Sequence, residues 1–170
     1  AGGGSTTTAD LSGFMLKSDD GGNTWSKLPY NFNFQIYSFC IQSPTVWYVG
    51  TGDNKLFKTT DAGLTFTQLT QPVTGTTHDF NAIEFADENT GYAAGTTGKI
   101  IKTTDAGATW NLLTFPSTST INDMKVLDAN TVIAAVGATS TYRTTDGGAT
   151  WQVVNLGYTA GTIYCLSFYN

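Results

Sequence analysis

Apolar residues recur at every second position in three short runs of the chain, 37–41, 81–85 and 122–126. Phe39 and Ile41, Ile83 and Phe85, and Met124 and Val126 mark the shared side. This two-residue period predicts strands with one buried face. A turn follows each run: Ser43-Pro44, Asp87-Glu88-Asn89 and Asp128-Ala129-Asn130. The next runs, 46–49, 91–94 and 132–136, are continuously apolar and lead to Gly50, Gly95 and Gly137. They predict strands covered on both faces, with a backbone free to turn afterwards. Third runs at 55–58, 99–102 and 140–143 and fourth runs through Leu28, Leu69, Leu113 and Val154 complete a four-strand unit. No stretch carries a helical period.

Between the third and fourth strands lies a box, Ser/Thr-x-Asp-x-Gly-x-Thr-aromatic, present in four copies. Its fixed residues are Asp20, Gly22 and Trp25; Asp61, Gly63 and Phe66; Asp105, Gly107 and Trp110; and Asp146, Gly148 and Trp151. The aspartates are separated by 41, 44 and 41 residues. A period of this size marks an array of units, none of which buries its own apolar faces alone. Within the box the aspartate is placed to accept from turn amides, and the glycine accepts a positive φ. The aromatic is placed to pack on the neighbouring unit. The parse is a partial unit over 1–28, units over about 36–70, 80–114 and 121–155, and an extra first strand over 162–169.

These boxes resemble the Asp-box (BNR) repeats of β-propellers, and the resemblance covers nearly the whole chain. It implies an all-β fold of four-stranded antiparallel blades, about four in this chain. Families with such boxes include sialidases, xyloglucan hydrolases, sortilin-type receptors and photosystem II assembly factors, and the boxes in them are folding elements away from the active site. The stretch from Asn89 to Gly95, followed by Lys99 to Trp110, is most similar to the photosystem II assembly factor-like repeats. Repeats of that type are also frequent in secreted surface proteins of Bacteroidota. Two accounts of the ends stay open. They combine into one composite blade and close a small ring, or the chain is a segment of a larger propeller, which the usual blade number favours.

Composition narrows the function. The 170 residues include 31 threonines and 19 glycines and only 12% charged residues, a strand-and-turn composition. A net charge of −5 argues against a nucleic-acid partner, which requires a basic face. No run of some 18 apolar residues exists, so no membrane insertion is expected. The lysine-poor, Thr/Gly-rich surface suits a secreted or cell-surface location. The Ala1-Gly2-Gly3-Gly4 start reads as a processed product or a piece of a longer chain or larger assembly. Cys40 and Cys165 fall on one strand face and are expected as free, packed thiols; a disulfide is conceivable only in a closed four-blade ring. Lys17, Lys58, Lys102 and Arg143 each precede a box. They read either as a ring of positive charge for an anion or as solvent-pointing charges that confer solubility.

Catalytic chemistry finds few candidates. A sialidase needs several arginines to grip a carboxylate, and Arg143 is the one arginine in the sequence. A glycosidase needs two facing carboxylates. Outside the boxes these are Asp10, Asp53, Asp79, Glu84, Asp87, Glu88, Asp123 and Asp128. Asp87 and Asp128 share a turn position and read as structural, which leaves Glu84 and Asp123, on first strands, as the best pair. His78 beside Asp79 makes a dyad without an evident nucleophile and reads as an exposed loop histidine. One histidine and two separated cysteines give no zinc spacing, so neither a metal nor another cofactor is expected. What remains is recognition. Tyr30, Phe32 and Phe34 alternate with asparagines in a loop between units, and with His78 and Asp79 they form the candidate contact set, Asp53, Asn54 and Tyr158 being weaker members. The expectation is a non-catalytic extracellular module that binds a protein or glycan. The alternatives are a segment of a carbohydrate-active enzyme and an assembly factor for a membrane complex, though the basic patch implied for the latter is not evident.

Overall fold

The computed structural model describes residues 2–4, 13–75, 78–157 and 161–168. Fifteen strands follow one another: β1 (Gly2–Gly4), β2 (Gly13–Lys17), β3 (Ser26–Lys27), β4 (Ile36–Ile41), β5 (Trp47–Thr51), β6 (Lys55–Thr59), β7 (Thr67–Gln68) and β8 (Phe80–Phe85). They continue as β9 (Gly91–Gly95), β10 (Ile100–Thr103), β11 (Asn111–Leu112), β12 (Ile121–Val126), β13 (Val132–Val136), β14 (Ser140–Thr144) and β15 (Gln152–Val154). A 3-10 turn at Thr96–Gly98 links β9 to β10.

Each sheet is an antiparallel meander in chain order: β1-β2-β3, β4-β5-β6-β7, β8-β9-β10-β11 and β12-β13-β14-β15. The predicted strands of the three complete units are all present. The short fourth strands pair over two or three residues with the third. A bulge interrupts each first strand at the same place, beside Tyr37, Asn81 and Asn122. An extra residue there kinks the strand and re-aims its side chain. Asn81 accordingly donates to the Ile121 carbonyl at 3.0 Å and ties its sheet to the next, and Asn122 donates to the Ile163 carbonyl at 2.9 Å and ties its sheet to the C-terminal segment. Residues 161–168 lie beside β12, with the Leu166 amide donating to Asp123 Oδ2 at 2.6 Å, but they form no ladder with the described residues.

The core lies between sheets, because the second strand of each complete sheet, such as β5 or β9, is buried on both faces. Met15, Leu28, Phe32, Trp47 and Phe66 fill the first joint; Tyr48, Phe80, Ile83, Ile101 and Trp110 the second; Tyr92, Ile100, Ile121, Met124 and Val132 the third. Trp25 departs from the expected packing of box aromatics: it is exposed, and its indole donates to the Gly22 carbonyl of its own box.

The boxes are one hydrogen-bond network repeated. Thr59 Oγ1 donates to Asp61 Oδ1 at 2.7 Å and accepts the Gly63 amide at 3.0 Å, while Asp61 Oδ1 also accepts the Thr65 amide at 2.9 Å. The same bonds recur around Asp20, Asp105 and Asp146. The hydroxyl and then the amide of the following threonine hold the Asp20, Asp61 and Asp146 carboxyls down at about 2. Gly63, at φ 89°, sits so close to Leu28 and Trp47 that a Cβ would lie 2.6 and 2.7 Å from them.

Of the four basic residues before the boxes, Lys58 and Lys102 serve neither of the two expected roles. Lys58 Nζ donates to the Ala106 carbonyl of the next box at 2.8 Å, beside Tyr48 Oη on the same oxygen at 2.7 Å. Lys102 Nζ reaches the Gly147 and Ala129 carbonyls at 3.2 and 3.4 Å, and Tyr92 Oη the latter at 2.8 Å. Each ammonium also lies over the tyrosine ring beside it, at 5.2 and 5.1 Å from the centroid. They are clamps between blades, with carbonyl oxygens as the anchoring groups. Lys17 instead pairs with Asp19 at 2.7 Å, and Arg143 is exposed.

Candidate functional site

Three connections meet at one end of the second blade: the loop 28–35 after β3, the turn 52–54 between β5 and β6, and the loop 69–79 before β8. Asp53 and Asn54 turn the chain with φ of 57° and 63°, the left-handed region that, after glycine, asparagine and aspartate tolerate best. Backbone and amide groups staple this turn to the long loop. The Asn54 amide donates to the His78 carbonyl at 2.7 Å, its side chain donates to the Val73 and Gly75 carbonyls, and Gln71 Nε2 donates to the Asn54 carbonyl at 3.1 Å. On the other side the Gly52 amide donates to the Gln35 carbonyl at 2.9 Å, and Tyr37 Oη donates to Gln35 Oε1 at 3.1 Å.

The three connections enclose an open cavity of about 180 Å³ lined by Phe34, Gln35, Tyr37, Gly52, Asp53 and Asp79. Its floor is open because residue 52 is glycine. A Cβ there would lie 3.2 Å from both Asp79 Oδ1 and the Tyr37 ring, filling the gap between carboxylate and aromatic wall. Burial, and then the negative charge of Asp79, push the Tyr37 phenol above its ordinary value. Neither the Asp53 nor the Asp79 carboxylate has a hydrogen bond or ion pair among the described residues.

This geometry divides the contact set expected from sequence. Phe34 and Asp79 line the cavity, with Asp53. Phe32 does not reach the surface: it is 1% exposed and packs edge-on against Phe57 and Phe66. Tyr30 is half-buried and packs on Phe32 at 4.9 Å. Both rings are drawn inward because the loop crosses the joint between the first two blades, where Phe66 offers them apolar surface. His78 is also interior, 2% exposed, and not the exposed loop residue expected. Its ring packs on Phe80, with Nδ1 3.4 Å from Thr96 Oγ1, and burial holds its pKa down. Tyr158 and Asp10 lie outside the described residues.

Sequence reasoning missed Tyr37, Gln35 and Gly52. One signal was present: Tyr37 stands at the bulge position that Asn81 and Asn122 hold in the next two blades. Where those amides reach the carbonyl of a neighbouring segment, the tyrosine faces the cavity.

A second concavity, about 380 Å³, opens on the inner strands between Cys40, Glu84, Lys125 and Ser167. Here the proposed catalytic pair is otherwise engaged. Glu84 is ion-paired with Lys125 and accepts the Val126 amide at 2.8 Å; Asp123 accepts the Met124 and Leu166 amides at 2.8 and 2.6 Å. Asp87 and Asp128 each accept two amides of their own turns, the structural role expected. Both cysteines are free; Cys40 is half-buried, but Cys165 is exposed, not packed. Among the described residues no three histidine, cysteine, aspartate or glutamate side chains are arranged to hold a metal ion. Among the described residues no helix is long and apolar enough to cross a membrane.

The BNR/Asp-box repeat model matches residues 142–153, the end of β14 with the last box. No curated protein is significantly similar to the chain. Solved structures are similar at low identity. YCF48 bound to D1 peptide shares 23% identity at a TM-score of 0.66, over 74% of this chain and 41% of that one. The GH74 enzyme of Niastella koreensis shares 22% at 0.66, over 84% and 26%. The extracellular domain of a putative one component system, BT4673, from B. thetaiotaomicron shares 15% at 0.67, over 91% and 23%. This chain thus spans less than half the length of each. At these identities the likeness establishes the fold: consecutive four-stranded blades of β-propeller type.

Proposed function

We propose that this chain is a non-catalytic recognition module whose partner is a protein, bound at the rim cavity between loop 28–35 and loop 69–79. The observation that carries this reading is the cavity itself. It joins an exposed aromatic ring, Tyr37, to the carboxylates of Asp53 and Asp79, which no group among the described residues satisfies. Polar groups that fold into place without an internal partner are available to an external one. The engagement of Glu84 and Asp123 with backbone amides supports a non-catalytic role, since a general acid or nucleophile needs its oxygens free for substrate. A blade arrangement of this kind carries a peptide in YCF48 bound to D1 peptide, and one forms an extracellular domain in BT4673. With the Thr/Gly-rich, lysine-poor composition, the latter favours a secreted or cell-surface setting.

The test is selection of a displayed random-peptide library on the immobilised protein, alongside a glycan array and a hydrolysis panel. Enrichment of peptides that lose binding to Tyr37→Ala and Asp79→Ala supports the reading. Binding of glycans alone replaces the protein partner with a carbohydrate. Hydrolysis of a glycan, lost in Glu84→Gln or Asp123→Asn, replaces the module with an enzyme.

A further inference from the structure

We propose that the rim cavity receives a basic side chain of the partner polypeptide, with arginine the better fit, held between the Phe34 and Tyr37 rings and the Asp53 and Asp79 carboxylates. This rests on the recognition reading above and names the chemistry of the group that is read. Three features of the cavity select for it. First, charge: two carboxylates line the cavity, and among the described residues no lysine or arginine lines it or lies within ion-pair distance of either. An anionic group placed there meets only repulsion, and a neutral one leaves both carboxylates uncompensated.

Second, the walls are aromatic. A cation over the face of a tyrosine or phenylalanine is attracted by the ring quadrupole, and the planar guanidinium also stacks on it. Its five donors reach two carboxylates at once, which an ammonium does less well. Third, size: about 180 Å³ is smaller than the roughly 300–1,000 Å³ of ordinary small-molecule pockets. It suits the head of one side chain. Gly52 supplies the depth, since any Cβ would occupy the space between the Tyr37 ring and the Asp79 carboxylate. Two carboxylates without further protein donors make a poor metal site, and no larger ligating group exists among the described residues.

The probe is N-acetyl-arginine methylamide, titrated while the backbone amide resonances of Gly52, Asp53 and Asp79 are followed by NMR. Its neutral isostere, N-acetyl-citrulline methylamide, is titrated in parallel. The expected result is saturable movement of these resonances with arginine only. Affinity should fall about tenfold in Asp79→Asn and also decline as salt rises from about 20 to 500 mM, as an exposed charge contact does. Tyr37→Leu, which keeps the charge and removes the ring, should weaken binding several-fold, and unchanged thermal midpoints establish that both variants fold. Equal binding of the citrulline probe, or arginine shifts that survive both Asp53→Asn and Asp79→Asn, overturns the inference. Library peptides that bind the rim yet tolerate replacement of every arginine and lysine overturn it too, while leaving the recognition reading intact. Failure of any peptide to bind removes both.

Discussion

Replacing Tyr48 by phenylalanine deletes one hydroxyl from the joint between the second and third blades and leaves everything else in place. The ring is fully buried and stacks on Phe85 at a centroid distance of 4.0 Å, contacts that phenylalanine keeps. The lost bond to the Ala106 carbonyl is worth a net 0.5–1.5 kcal/mol by general experience, so roughly this range bounds the effect. The carbonyl is not orphaned, however, because Lys58 Nζ still donates to it at 2.8 Å. The expected cost is therefore near the low end, about 0.5 kcal/mol. Lys58→Met keeps the aliphatic stem and removes the ammonium, with a cost of about 0.5–1 kcal/mol including the lost cation–π contact. The double variant differs in kind: a half-buried carbonyl then has neither donor, and its desolvation penalty of about 1–3 kcal/mol is exposed. The two substitutions should be more damaging together than their sum, by about 1 kcal/mol. Urea denaturation of the four proteins measures this. In a chain of this size, about 1 kcal/mol corresponds to a shift of some 2–4 °C in the thermal midpoint. Additivity within about 0.3 kcal/mol would refute the shared-acceptor argument and mean that water replaces both donors.

Further outcomes follow from the same geometry. The Asp20, Asp61 and Asp146 carboxyls are held at about 2, below their ordinary 3.8, so the stability they contribute is complete above about pH 4 and lost as pH falls toward 2. Thermal midpoints measured between these limits should fall less steeply in Asp61→Asn, and an unchanged slope assigns the acid sensitivity elsewhere. His78 is held below its ordinary 6.5 by burial, so its contribution is full above that value and declines as pH falls through the lower folded one. Its ring-proton titration by NMR should report a midpoint under 6.5, and a higher one contradicts its interior placement. Gly95→Ala would put a Cβ 1.7 Å from the Asp79 carbonyl oxygen, whereas at Gly21 nothing lies within 4 Å. The former should cost about 3 kcal/mol or more or prevent folding, and the latter only the left-handed penalty of about 1–2 kcal/mol, as chemical denaturation will show. A thiol reagent at mildly alkaline pH should modify exposed Cys165 well before half-buried Cys40, whose thiol burial pushes up; equal rates, read by mass spectrometry of peptides, contradict this.

The strands and boxes were legible in sequence because the interactions that make them are local. Thr59, Asp61, Gly63 and Thr65 close their network within seven residues, and the alternation of Ile83 and Phe85 states which face of β8 is covered. What the sequence could not state is which groups meet across a joint. Lys58 and Ala106 are 48 positions apart, and Glu84 and Lys125 are 41 apart. Lys58 and Lys102 looked like free charges because their acceptors are backbone carbonyls, which every residue carries and no sequence pattern marks.

The candidate site divides in the same way. Phe34, Asp53 and Asp79 were visible as aromatic and acidic residues in loops. Phe32 and Phe34, two residues apart in one loop, received the same reading, yet one is buried among Phe57 and Phe66 and the other lines the cavity. The choice between them depends on the path of loop 28–35 across the first joint, and hence on how two sheets stack. By itself the sequence determined the repeat, the strand order and the turn chemistry, since backbone periodicity and short-range hydrogen bonding specify them residue by residue. Only the tertiary structure decided which polar groups were satisfied and which were left for a partner, because satisfaction depends on distances between chain segments some 40 residues apart.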